Sequence, residues 1–184
     1  MDGFDLKKKK KKQSPEILPE YKAASRLFDW LDNILFGLIF VIALFAFVFK
    51  TYTVEGDSMR PNFKTGDYVL AYSLFYTPQP GDVVIIDASN NYHKALIKRV
   101  VAVGGQTVAI DEDGTIRVDG VVFPYDGTNP ENARHGNATY PLYVPEGYVF
   151  VMGDNRGNSL DSRFSALGLV DVRSIVGHQI YNLK

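Results

Sequence analysis

A chain of 184 residues with 46% hydrophobic content can build one packed domain and a smaller element, which excludes global disorder. Its net charge of −1 hides an asymmetry, because Lys7 to Lys12 form an unbroken basic block while the acids are spread through the rest. There is no cysteine, which excludes disulfides, Cys-ligated metal sites and thiol catalysis; a domain of over a hundred residues needs no disulfide staples, so compartment stays open.

Taken in chain order, residues 1–29 read as a basic tail. Nucleic acid is one partner for such a block, but the neighbouring apolar stretch offers a better one. Trp30 to Phe49 reads WLDNILFGLIFVIALFAFVF, and Ile34 to Phe49 contains no charged or hydrogen-bonding side chain. As a helix that run is roughly 24 Å long at 1.5 Å per residue. With Trp30 and Leu31 it approaches the ~30 Å of a bilayer core. Trp30 suits the interface, with Asp32 and Asn33 at the headgroup edge. The apolar residues cover every face, unlike an amphipathic surface helix. A buried core helix is one rival. A cleaved leader is another, but Phe47 to Tyr52 offers no small-x-small cleavage site. The expectation is an uncleaved transmembrane helix over 30–50. Lys7 to Lys12, Lys22 and Arg26 precede it, against Lys50 and Arg60 beyond, which puts the N-terminus in the cytoplasm.

Residues 51–184 read as an extracytoplasmic, mainly β domain, a folded-over antiparallel sheet or partial barrel. Tyr68 to Ala71 and Val83 to Ile86 are short apolar runs preceded by Gly66-Asp67 and Gly81-Asp82. Leu96 to Val103 is a longer β-branched run ended by Gly104-Gly105. Val108 to Ile110, Ile116 to Val118 and Val121 to Phe123 are separated by Asp113-Gly114 and Asp119-Gly120, good hairpin signals. Residues 126–140 read as loop, and about 106–145 as a small extra lobe. Tyr148 to Met152 and Ile175 to Ile180 are further strands.

Three segments carry possible chemistry. In Glu55-Gly56-Asp57-Ser58-Met59-Arg60-Pro61, Gly56 permits a tight turn beside Ser58, about ten residues after the apolar run. A turn serine capping its own backbone is the structural alternative. The segment resembles the start of GDSL hydrolases, but their Asp-x-x-His pair is missing: Asn90, Asn132 and Ile175 precede His93, His135 and His178 by three. Lysine is the other available base. Strand alternation puts Lys98 on an apolar face with Leu96, Val100 and Ala102, where burial can depress its pKa by up to ~3–5 units. A snorkelling edge lysine is the plainer reading. Arg99 points the other way and stays protonated. In Gly153 to Arg163 every residue but Leu160 is Gly or polar. That stretch suggests a hydrogen-bonded network, with Asp161 and Arg163, or Asp154 and Arg156, as ion pairs.

Together these segments resemble the bacterial type I signal peptidases, in the single-anchor form of Gram-positive members. Gly56 to Pro61 is similar to their nucleophile box, Pro80 to Val84 to their Gly-Asp strand, Lys98 to Val101 with Gly105 to their lysine box, and Gly153 to Arg163 to their last box. The resemblance implies Ser58 as nucleophile and Lys98 as general base, with Ser159 orienting the lysine. It implies Asp161 paired with Arg163, Asp154 and Arg156 in support, and cleavage of exported preproteins after Ala-x-Ala-like sites. The implied partners are signal peptides, the lipid bilayer and the export translocon, with no cofactor, metal or nucleic acid. The setting is a bacterial plasma membrane. This sequence departs from the pattern at Gly56 (a serine in some relatives), Asn62 (usually Thr), Gly104 (often Pro) and Gln106 (usually Asp). With Gly56, oxyanion stabilisation falls to backbone N–H groups, including that of Ser58. Met59, Phe63 and Leu74 to Tyr76 read either as core or as contacts to lipid or signal peptide. Two rivals stand: a self-cleaving Ser/Lys peptidase, which predicts a soluble chain with a DNA-binding domain, and a membrane-anchored non-catalytic β module.

Overall fold

The computed structural model describes residues 19–72, 74–124, 127, 132–133 and 136–183. The Lys7 to Lys12 block, His135 and much of the 126–140 loop lie outside them. The chain divides between Leu44 and Phe45 into two units.

Helix α1 runs Pro19–Val48, eleven residues earlier than hydropathy places its start. Residues 19–29 carry good helix formers such as Glu20, Lys22, Ala23 and Ala24, which extend the helix beyond the apolar run. Within the helix, Ser25–Val48 is a 24-residue stretch whose most apolar 18-residue window has a mean hydropathy of 2.5. That is about 36 Å of helix, long enough to cross a membrane. Its apolar side chains are exposed all round, among them Leu31, Phe36, Ile39 and Phe40.

The helix ends at Val48 and the chain turns directly into strand β1, Phe49–Thr53. Lys50 therefore lies in a strand and not in the helix. There follow β2 (Tyr68–Tyr72), β3 (Val83–Ile86), β4 (Leu96–Val103), β5 (Thr107–Ile110), β6 (Ile116–Val118), β7 (Val121–Val122), β8 (Leu142–Tyr143), β9 (Tyr148–Met152), β10 (Val170–Asp171) and β11 (Ile175–Leu183). Seven form one antiparallel sheet in the order β1-β2-β11-β3-β4-β9-β10, and four form a second, β7-β6-β5-β8. The mainly β expectation holds, and the second sheet occupies the stretch read as a small lobe.

Strand β3 is buried at all four positions, as its unbroken Val-Val-Ile-Ile predicts for a strand covered on both faces. The pairing of β4 with β9 slips between Val100 and Ala102. Strict alternation consequently fails there. Leu96 and Val100 pack in one apolar cluster, while Val101 and Ala102 are together in another. Gly104 has a steric reason: a Cβ there would lie 2.9 Å from the backbone of Glu146. Gln106 serves the same turn, its Oε1 accepting from Val103 N at 3.0 Å.

Candidate active site

Ser58 stands in the connection between β1 and β2, closed at its base by Val54 N to Asp67 O at 2.9 Å and Gly66 N to Val54 O at 3.0 Å. Met59 is fully buried among Val54, Phe63, Val69, Ala71, Val83 and Ile85, so it roots the loop in the core one residue after the serine. Met59 and Phe63 are thus core residues, whereas Phe75 is 93% exposed. Gly56 has φ 85°, a left-handed conformation that favours glycine.

Lys98 lies 40 residues away on β4, paired with Val84 of β3. Its Nζ is 2.8 Å from Ser58 Oγ and donates to the Ile97 carbonyl at 2.9 Å. Only 2% of Lys98 is exposed. Burial pushes its pKa down from 10.5 to about 8; the carboxylates of Asp161 and Asp154 pull it back up, and Arg163 lowers it. At that value an appreciable fraction is neutral near physiological pH, as a general base requires. The pair opens on a cleft of about 280 Å³ walled by Tyr52, Val54, Val69, Ile85 and Ile97. A larger cleft, about 490 Å³, has Ser89 and Ser174 on its wall but neither lysine nor histidine. His93 is exposed and His178 stacks on Tyr76 with ring centroids 4.2 Å apart.

The last polar segment folds back beside β9. Ser162 N donates to Val151 O and Val151 N to Ser162 Oγ, both at 3.0 Å. Asp161 and Arg163 pair as expected: Arg163 Nε donates to Oδ1 at 2.7 Å and Nη2 to Oδ2 at 2.9 Å, and both side chains are essentially fully buried. Asp161 Oδ2 also accepts from Gly153 N at 3.0 Å, and Arg163 Nη1 reaches the Asn132 carbonyl at 2.8 Å. Arg163→Leu would strand the Asp161 carboxylate, so a loss of roughly 3–5 kcal/mol is expected in urea unfolding. Unchanged stability would show that the pair holds nothing.

Asp154 has a partner that sequence reading missed. Its oxygens take a fork of bonds from Arg99, Nε to Oδ1 at 2.7 Å and Nη2 to Oδ2 at 2.6 Å. Arg156 is buried at 1% exposure in the same loop. The bond expected from Ser159 to Lys98 is not formed. The Ser159 hydroxyl is buried without a hydrogen-bond partner and packs over Gly153; the Ile97 carbonyl holds the amine instead.

A serine hydroxyl at hydrogen-bond distance from a buried, low-pKa amine, beside an apolar cleft, is the equipment of a serine hydrolase. The family model for signal peptidase, peptidase S26, matches residues 27–182. Signal peptidase I of Bacillus licheniformis is 36% identical over 162 residues, covering 82% of this chain and 85% of that one. Signal peptidase I T of Bacillus subtilis strain 168 is 32% identical, covering 85% and 84%. A crystal structure of a signal peptidase I from Enterococcus faecalis V583 is 30% identical, covers 56% of this chain and 97% of that one, and gives a TM-score of 0.45. The chain belongs to the signal peptidase family, peptidase S26, and is a serine endopeptidase of the type I signal peptidase kind.

Proposed function

We propose that this enzyme is a membrane-anchored Ser/Lys peptidase that removes signal peptides from exported preproteins after Ala-x-Ala-like sites. The observation that carries this reading is the 2.8 Å approach of Ser58 Oγ to the buried Lys98 Nζ. Neutral Lys98 takes the Ser58 proton as Oγ attacks the scissile carbonyl. The resulting ammonium then protonates the departing amine, leaving an acyl-enzyme. Lys98 next takes a proton from water as that water's oxygen attacks the ester carbonyl, then gives it to Ser58 Oγ as the acyl bond breaks, which releases the signal peptide's new carboxyl group and restores both residues. The Ser58 backbone N–H is the natural donor to the oxyanion.

Bulky side chains wall the cleft, which suits small side chains before the scissile bond. The exposed apolar surface of α1 calls for a bilayer around it, and Arg26 with the upstream lysines favours a cytoplasmic N-terminus. The catalytic domain, 51–184 in this reading, then lies outside the plasma membrane of a bacterium. Ser58 follows Val48 by ten residues, at most about 35 Å of extended chain, so the nucleophile works near the membrane surface where a signal peptide emerges. The lipid bilayer and the export translocon are the surroundings this implies.

The test is cleavage of a preprotein with an Ala-x-Ala site in detergent micelles. Wild type should cut and Ser58→Ala should not, with its melting curve unchanged. Failure of wild type across several preproteins would return the chain to the non-catalytic reading.

A further inference from the structure

Residues 154 and 155 hold both halves of the reacting pair. Asp154, fully buried, receives the guanidinium of Arg99, the residue after Lys98. Its Oδ2 also accepts from Asn62 Nδ2 at 2.9 Å, and Asn62 lies four residues after Ser58 on the nucleophile loop. Asn155 N donates to the Ser58 carbonyl at 2.9 Å and its Nδ2 to the Asp57 carbonyl at 3.2 Å. The base's strand and the nucleophile's loop thus hang from one short segment. On the far side, Asn182 Nδ2 of β11 donates to the Asn62 carbonyl at 3.3 Å.

The geometry points to Asn62 as a positioning residue, whose carboxamide ties the Ser58 loop to the Asp154–Arg99 pair and so sets the gap between Ser58 Oγ and Lys98 Nζ. The inference rests on Ser58 and Lys98 being the reacting groups. A neutral donor is what this position needs. Asp161, Asp154 and Arg163 already bear on Lys98, with Arg99 against Asp154. An acid at 62 would add negative charge and favour the lysine's protonated form, while an apolar residue would leave the loop without its side-chain link to Asp154.

The experiment uses the full chain in micelles with an Ala-x-Ala preprotein, comparing Asn62→Ala, Asn62→Asp and Asn62→Thr with wild type and Ser58→Ala. A loosened dyad should lower kcat about tenfold in Asn62→Ala with KM within about twofold, because misplacement of reacting groups acts on the chemical step. Asn62→Thr should recover part of that loss through its hydroxyl. Asn62→Asp, the same size, should lose more and move the acid limb of kcat to higher pH. Wild-type kcat in Asn62→Ala, or a loss that follows only the folded fraction with no rescue by Thr and no pH displacement in Asp, would overturn the assignment. Cleavage by Ser58→Ala would sink the Ser/Lys reading itself. An inactive Ser58→Ala beside a wild-type-like Asn62→Ala would remove only the role of Asn62.

Discussion

Lys98→Met is expected to abolish preprotein cleavage and, at pH 7, to make the domain more stable. Losing a general base costs roughly 10²–10⁴-fold in rate, and methionine offers no proton acceptor of comparable strength. The stability gain follows from burial. Moving an amine from a pKa of 10.5 to about 8 means the folded state holds the ammonium less well than water does. At 1.36 kcal/mol per unit this is about 3 kcal/mol, and the two lost bonds, to Ser58 and Ile97, return about 1–3, which leaves a gain on the order of 1 kcal/mol. The sign is fixed by linkage. Below pH 8 both states are protonated and wild type carries the full penalty. Between pH 8 and 10.5 the unfolded chain binds more protons, so wild type gains stability as pH rises. The advantage of Lys98→Met should accordingly shrink across that window, while wild-type kcat/KM climbs with an apparent pKa near 8. Urea unfolding at pH 7 and pH 10, with the pH profile of cleavage, checks both halves. Equal stability of the two proteins at pH 7 would mean that the amine is solvated, and residual cleavage by Lys98→Met would mean that it is not the base.

The parts of this site that sequence made legible are those with a local signature. Ser58 stands out by the Gly and Pro around it, and Asp161 and Arg163 are two residues apart in a polar run. Lys98 is a charged residue inside a β-branched strand. In the sequence Arg99 reads only as a failed base, because its partner is 55 residues away and no spacing links them. The strand register could have suggested it: Arg99 faces Met152, two residues before Asp154. That register is a tertiary fact, unavailable until β4 and β9 are paired. The same limit hid β1. Phe49 continues the apolar run of the helix, and only its pairing with Tyr72 of β2 marks it as strand. Strands β8 and β10 have two residues each, too short for any periodicity to register. Ser159 failed in the opposite direction. Its role came from resemblance alone, and the lysine's second bond goes to a backbone carbonyl, which no side-chain motif records.

Gly153→Ala is expected to cripple cleavage far more than Gly56→Ala, although Gly56 sits closer to the nucleophile in sequence. Gly56 has φ 85° and open space around a would-be Cβ. An alanine there costs about 1–2 kcal/mol of backbone strain and displaces nothing. Gly153 is the reverse case. A Cβ there would lie 2.5 Å from the Ser58 carbonyl oxygen and 2.6 Å from Ser159 Cβ, and would also strike the Ser159 hydroxyl. The Ser58 carbonyl is held by Asn155 N, so the methyl must drive the nucleophile's own backbone away from residues 153–155. Relief of such an overlap takes roughly 0.5–1 Å, and a misplacement of about 1 Å at reacting groups can cost 10²-fold in rate. Over-packing adds about 1–3 kcal/mol of lost stability. Measured together, kcat/KM should fall about 10²-fold in Gly153→Ala and much less in Gly56→Ala, with both proteins melting below wild type. Near-normal cleavage by Gly153→Ala would mean that Ser58 can shift without losing Lys98, and the rigid alignment argued for this dyad would have to be abandoned.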